Sequence, residues 1–248
     1  MTDLFGSTRT VVQRNYALIT PDSHVASALP GWKNAVAVVN ISPAMNGPRF
    51  TQIQITLDAS STGAGNTGAL EHFYYLCAGK CAAKIGGKKI ELSAGSYLFV
   101  PPETEFEFSA AAGGTRLLIF QKRFAPLAGE KIPGVIAGHE RDVKGQPFLG
   151  NEDARLQVLL PEGMAFDLAV NIFTYQPGAT LPFVETHIME HGLLMLQGQG
   201  IYRLDAEHYP VMAGDAIWMA SYCPQWFVAT GRTPASYIYY KDVNREPL

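Results

Sequence analysis

The chain has 248 residues, 47% of them apolar and 17% charged, with a formal net charge of -3. Such a composition can fill a packed core and excludes disorder over most of the length. The weak negative charge, without a basic cluster, excludes nucleic acid as the main partner. No apolar run reaches the ~18 residues of a membrane span, and residues 1–14 lack the apolar centre of a secretory signal. Three cysteines, Cys77, Cys81 and Cys223, form too sparse and odd a set for a disulfide framework. They fit a reducing, cytoplasmic setting. A metal pair at Cys77 and Cys81 is disfavoured, because Cys77 lies in an apolar, strand-like run.

Residues 1–35 read as an irregular arm, with turn chemistry at Thr20-Pro21-Asp22-Ser23 and Leu29-Pro30-Gly31-Trp32. Alternating patterns then predict strands over 35–39 and 50–57. Residues 59–66 are small and read as a loop. Further short strands are predicted at 73–77, 82–85, 89–92, 97–100, 106–108 and 116–122, with glycine, proline or charged breaks between them. This rhythm indicates a sandwich or barrel. Residues 123–150, which include Pro126, Pro133, Gly134, Gly145 and Pro147, read as a linker, and the strand rhythm resumes from 155 to 240.

The two halves are copies. His72 and His191 are 119 residues apart, as are Gly79 and Gly198, and Gly95 and Gly214. A constant offset across such anchors implies an internal repeat. The expected organisation is an arm (1–35), an N-terminal barrel (36–122), a linker (123–150) and a C-terminal barrel (151–248).

The C-terminal copy carries the chemistry, in Glu185-Thr186-His187-Ile188-Met189-Glu190-His191-Gly192. On a strand, Glu185, His187 and His191 share one face; on a helix, only 187 and 191 meet. Pro182, Gly192, Gly198 and Gly200 favour the strand. Glu190 then faces away and reads as a supporting or surface residue. His24, His139 and His208 lie outside the spacing. A polar network without metal is the plain alternative for this group. A tyrosine in a barrel is by default packing, and a lysine near a C-terminus is by default solvated. In 237–241, odd residues share a face, and a lysine facing inward needs an anionic partner.

These anchors resemble the two cupin motifs. Gly178, six residues, Glu185-x-His187, three residues, His191, six residues and Gly198 keep the spacing of the first motif. Gly214, five residues, Ala220-x-Tyr222, two residues and Gln225 keep that of the second. The ligand types are shuffled: Glu185 replaces a histidine, His191 replaces a glutamate and Gln225 replaces the last histidine. With "FVETHIMEHGLLMLQGQGIYRLD", "GDAIWMASYCPQ", "YIYYKDVNR" and "NYALITPDSHVASALPGW", the chain resembles the (S)-ureidoglycine aminohydrolase family over nearly its whole length.

The resemblance implies an all-β bicupin, two tandem double-stranded β-helix barrels of jelly-roll type. It implies a homo-oligomeric, manganese-dependent enzyme of purine (allantoin) degradation that acts on a small molecule. Its metal ligands are expected to be Glu185, His187, His191 and Gln225. Its substrate contacts are expected at Glu185, Gln225, Tyr237 and Lys241, with Tyr202 on the pocket wall. Glu185 and Lys241 are expected to handle protons. A carboxylate, an amide and two imidazoles suit Mn(II) or Fe(II), with zinc an open alternative. Shifted back by 119, the ligand positions fall on Asn66, Gly68, His72 and Phe106, so the N-terminal barrel is expected to be scaffold without metal. Two other readings remain: another metal-dependent bicupin enzyme (dioxygenase or oxalate-type), and a non-catalytic binding cupin.

Overall fold

The computed structural model describes residues 8–110 and 112–242. Among them are twenty β-strands, three short 3-10 turns and no α-helix. In chain order the first half contains β1 (Val11–Val12), β2 (Tyr16–Ile19), β3 (Trp32–Ile41), β4 (Phe50–Asn66), β5 (Leu70–Ala78), β6 (Lys80–Ile85), β7 (Lys88–Ser93), β8 (Ser96–Val100), β9 (Glu105–Ala110) and β10 (Thr115–Arg123). The second half contains β11 (Ile136–His139), β12 (Gln146–Phe148), β13 (Asn151–Val158), β14 (Leu168–Tyr175), β15 (His191–Gln197), β16 (Gln199–Leu204), β17 (Glu207–Met212), β18 (Ala216–Met219), β19 (Gln225–Thr230) and β20 (Ala235–Asp242). No helix among the described residues is long and apolar enough to cross a membrane.

A nine-stranded sheet runs β11-β8-β5-β10-β4-β9-β6-β7 with β3 beside β4. An eight-stranded sheet runs β1-β2-β18-β15-β20-β14-β13-β12, and a three-stranded sheet, β17-β16-β19, faces part of it. Strand alternation sorts side chains into separate cores. In β20, Tyr237 and Tyr239 pack inside the C-terminal barrel, whereas Ile238 and Tyr240 point to a core shared with the other half. Trp218, Phe50, Phe73 and Phe120 join Tyr240 in that shared layer. Each such buried side chain contributes on the order of 2–3 kcal/mol.

Three stretches differ from expectation. The stretch read as an arm holds β1, β2 and the start of β3. β2 pairs with β18, with Ala17 opposite Trp218, and Arg9 reaches the fully buried Asp215 at 2.6 Å. The stretch read as a linker holds β11, which pairs with β8, with Ile136 opposite Phe99. Both pairs obey the 119-residue offset, so each half lends a strand to the other's sheet. Local sequence does not announce this, because the partners are distant and turn residues, Thr20-Pro21 and Pro133-Gly134, flank the two strands. Finally, 59–66 is no loop but the end of β4, where residues 62–66 pair with β9. Small residues there let neighbours close in. A Cβ on Gly63 would sit 2.5 Å from the Trp32 ring.

Candidate active site

The residues singled out from sequence meet at one end of the C-terminal barrel. His191 opens β15 and Lys241 is the penultimate residue of β20. They are cross-strand partners, so their side chains lie on the same face. Gln225 opens β19 and Tyr202 lies on β16, both on the facing three-stranded sheet. The cluster therefore spans the gap between two sheets.

Residues 185–191 are not one continuous strand, as the spacing suggested. Glu185 forms a single bridge to Gln225, donating N–H to its carbonyl at 2.8 Å and accepting in return at 2.9 Å. The chain then bends at Ile188 before β15 begins. The His187 carbonyl accepts from the Tyr222 N–H at 2.7 Å, which pins the loop. Pro182, upstream in this segment, has no N–H to donate to a ladder. The inward parity survives without the strand: Glu185 and His187 are half-buried and Thr186 is exposed.

The imidazoles are held in defined states. His187 Nδ1 lies 3.1 Å from the Met189 carbonyl, which can only accept, so Nδ1 carries the proton. Its Nε2 lone pair faces the Gln225 amide nitrogen at 3.1 Å, and that nitrogen also lies 3.4 Å from His191 Nδ1. The two rings are 4.8 Å apart. His191 Nε2 is buried without a partner, which is costly unless something else occupies its direction. Tyr202 Oη donates to Gln225 Oε1 at 3.1 Å. A half-turn of that amide would put its oxygen between the imidazoles, with Tyr202 Oη as acceptor.

Electrostatics agree with a site that resists net charge. Burial raises the Glu185 pKa, opposed by the Lys241 charge. Burial lowers Lys241, opposed by Glu185 and Glu162. Burial also lowers His187, and it lowers His191 strongly, with the charges of His187 and Lys241 adding to the effect. Both histidines are thus kept neutral, the form that binds metal. Among the described residues, no three His, Cys, Asp or Glu side chains are drawn close enough to cage an ion by themselves. The donor set fits a metal only with Gln225 included, whose amide lies between the two imidazoles.

Tyrosines form the wall. Tyr237 Oη lies 3.1 Å from Tyr175 Oη, and Tyr202 and Tyr237 are buried. Tyr239 stacks on His191 at 5.3 Å, and its hydroxyl accepts from Asn171 at 3.1 Å. Tyr239 shares the parity of Tyr237 and Lys241, and that was the signal by which sequence could have found it. Asn171 and Tyr175 carried no such mark. Glu190 is not on the surface. It is buried, its pKa pushed up to about 7 by burial and Asp242, and it meets Arg49 and Trp218. Val243, Asn244 and Arg245, the end of one sequence phrase, lie outside the described residues.

The N-terminal counterpart differs. His72 is buried among aromatics, with Phe106 at 5.7 Å and Tyr74 Oη at 2.8 Å from its Nδ1. Asn66 is exposed and closes a turn onto the Gly68 N–H. Two large recesses among the described residues lie elsewhere. One, about 640 Å³, is lined by Tyr75, Glu140 and Arg141. The other, about 920 Å³, runs behind the site's loop past Arg49, Met189 and Asp242. All three cysteines are free thiols.

Residues 171–240 match the cupin domain family model. An (S)-ureidoglycine aminohydrolase of Arabidopsis thaliana is 36% identical over 99% of this chain and 82% of its own length. One from Escherichia coli K12 is 35% identical over 98% of this chain and 94% of its own. The crystal structure of the E. coli protein Ylba superposes with a TM-score of 0.87 at 32% identity, covering 98% of this chain and 97% of the other. Bacillus subtilis oxalate decarboxylase matches in fold alone, with a TM-score of 0.72 at 10% identity over 96% of this chain and 79% of its own.

Proposed function

The chain belongs to the (S)-ureidoglycine aminohydrolase family and has the bicupin fold, and from that premise we propose that the cluster around Glu185, His187, His191 and Gln225 is its active site. The reaction converts (S)-2-ureidoglycine and water to (S)-ureidoglycolate and ammonia. A Cα–N bond to the amine breaks and a Cα–O bond to water forms. The proton that water loses leaves with the ammonia.

His187, His191, Gln225 and Glu185 would hold Mn(II). The observation that supports this is the buried, partnerless His191 Nε2 beside a neutral, tautomer-fixed His187. The ion would supply positive charge to fix an anionic substrate. Lys241 is half-buried on the same face as His191, and its ammonium would pair with the substrate carboxylate. Tyr237 and Tyr202 close the wall and exclude water from one face of the carbon, which selects one enantiomer. Glu185 and Lys241, whose pKa values burial moves toward each other, would carry the proton. The N-terminal barrel would serve as scaffold, because Phe106 fills the place of Gln225. A cytoplasmic homo-oligomer is the expected form.

The test is ammonia release from freshly prepared ureidoglycine, with Mn(II) and then with chelator, following product chirality against the uncatalysed decay. Metal-dependent formation of the S product, abolished by Glu185→Ala, is expected. Normal turnover by a folded Glu185→Ala variant would remove Glu185 from the site. Oxygen uptake in place of ammonia would move the chain to dioxygenase chemistry.

A further inference from the structure

We propose that Arg49, contributed by the N-terminal half, is a positioning residue for the active site: it clamps from behind the two segments that carry His191 and Lys241. The inference rests on the site assigned above. Arg49 immediately precedes β4. Its backbone N–H donates to both oxygens of Glu190, at 3.2 and 3.1 Å. Its guanidinium Nε lies 3.4 Å from Glu190 Oε1, and its Nη2 bonds Asp242. The ring closes through Glu190 N–H, which donates to Asp242 Oδ1 at 2.7 Å. Trp218 Nε1 adds a contact to Glu190 at 3.4 Å.

The two carboxylates are the chain neighbours of the two site residues. Glu190 precedes His191, and Asp242 follows Lys241. In a strand, neighbours point to opposite faces. The clamp therefore grips the outer side of β15 and β20 at the place where His191 and Lys241 point inward as cross-strand partners. One guanidinium fixes both at once, with a fork that a lysine cannot reproduce. The clamp has a firm base: the chain just before it is pressed so close to Trp218 that a Cβ on Gly47 would lie 2.2 Å from the ring. The Arg49 side chain is itself 58% exposed. Exposed ion pairs add little stability, so the value of this one lies in geometry.

The test compares Arg49→Ala and Arg49→Lys with Asp167→Asn, which weakens a neighbouring ion pair between the halves, Lys122 to Asp167 at 2.5 Å, whose bonds to Lys122 and Ala125 bypass Glu190 and Asp242. The backbone N–H of residue 49 survives each substitution, so only the guanidinium is removed. Mn(II) affinity is read by electron paramagnetic resonance titration, and kcat and KM separately at saturating metal. Arg49→Ala is expected to weaken Mn(II) binding and lower kcat by roughly 10-fold or more, the usual effect of losing a residue that orients a ligand. Arg49→Lys should recover part of the loss, and Asp167→Asn should stay near wild type in both. Mn(II) affinity and kcat within twofold of wild type in Arg49→Ala would overturn the inference, as would equal losses in Asp167→Asn. Glu185→Ala run alongside separates the two levels. If it keeps metal and activity, the site assignment fails. If it is dead while Arg49→Ala is normal, only the clamp fails.

Discussion

Gly192 follows His191 and faces the core shared by the two halves, opposite Trp218 on one side and Tyr240 on the other. A Cβ there would lie 2.2 Å from Phe50 Cζ, 2.4 Å from Cε2 and 3.1 Å from Gln52 Oε1. Carbon atoms in contact sit about 3.5–4.0 Å apart, so Gly192→Ala must open roughly 1.3 Å or more. Phe50 is 1% exposed and its ring lies 4.2 Å from that of Tyr240. It cannot swing aside without moving Tyr240, the chain neighbour of Lys241. The alternative is outward movement of β15, which draws His191 from Gln225. Overpacking of this kind costs about 1–3 kcal/mol, and at this chain length each kcal/mol lowers Tm by roughly 2–4 °C. Scanning calorimetry should therefore show a fall of about 2–12 °C, and ammonia release should drop with it. Phe50→Leu, mildly destabilising alone, should rescue part of both in the double variant, with a coupling of about 0.5–3 kcal/mol. An unchanged Tm with full turnover refutes the close approach. A lowered Tm with full turnover refutes the link from strand to site.

Tyr202→Phe removes the 3.1 Å bond to Gln225 Oε1 while keeping the ring's packing. Mn(II) affinity should fall roughly tenfold with Tm nearly constant, since a group that orients a ligand is lost; unchanged affinity in a metal titration contradicts the proposed amide orientation. Burial lowers the His72 pKa to about 4, below the ordinary value near 6.5. The unfolded chain takes the proton first, so stability is full above pH ~6.5 and is lost as pH falls toward 4, by up to about 3 kcal/mol. Urea unfolding of wild type against His72→Gln, which keeps an acceptor for Tyr74, should diverge only across that window, and parallel curves would exclude the effect.

Local pattern made the strands legible, because in 73–77, 97–100 or 237–241 each side chain answers to one face. The inward parity of Glu185 and His187 was legible for the same reason, and it holds even where the ladder is absent. What stayed hidden depends on distant partners. β2 and β11 sit beside the turn residues Thr20-Pro21 and Pro133-Gly134, which masked them, and their partners β18 and β8 come from the other half. The end of β4 carries glycine and alanine, which read as loop until Trp32 is seen lying on Gly63. Arg49 has no periodicity at all; its meaning comes from Glu190 and Asp242, 141 and 193 residues away.

The exchange of strands also bears on why a half without the proposed ligand set stays attached to the half that carries it. Phe106 and Tyr74 pack against His72 where Gln225 meets His187 and His191, so the two interiors have diverged. The layer between them is built by both. Phe50 and Phe120 from the first half and Trp218 and Tyr240 from the second are all buried in one cluster. Tyr240 and Trp218 back the strands that display Lys241 and support Glu190. A site must be held to about 0.5 Å to work, and barrel walls one strand thick supply that rigidity only when packed from outside. The N-terminal half does this packing with Phe50 and, one residue earlier, reaches the site's own loop with Arg49.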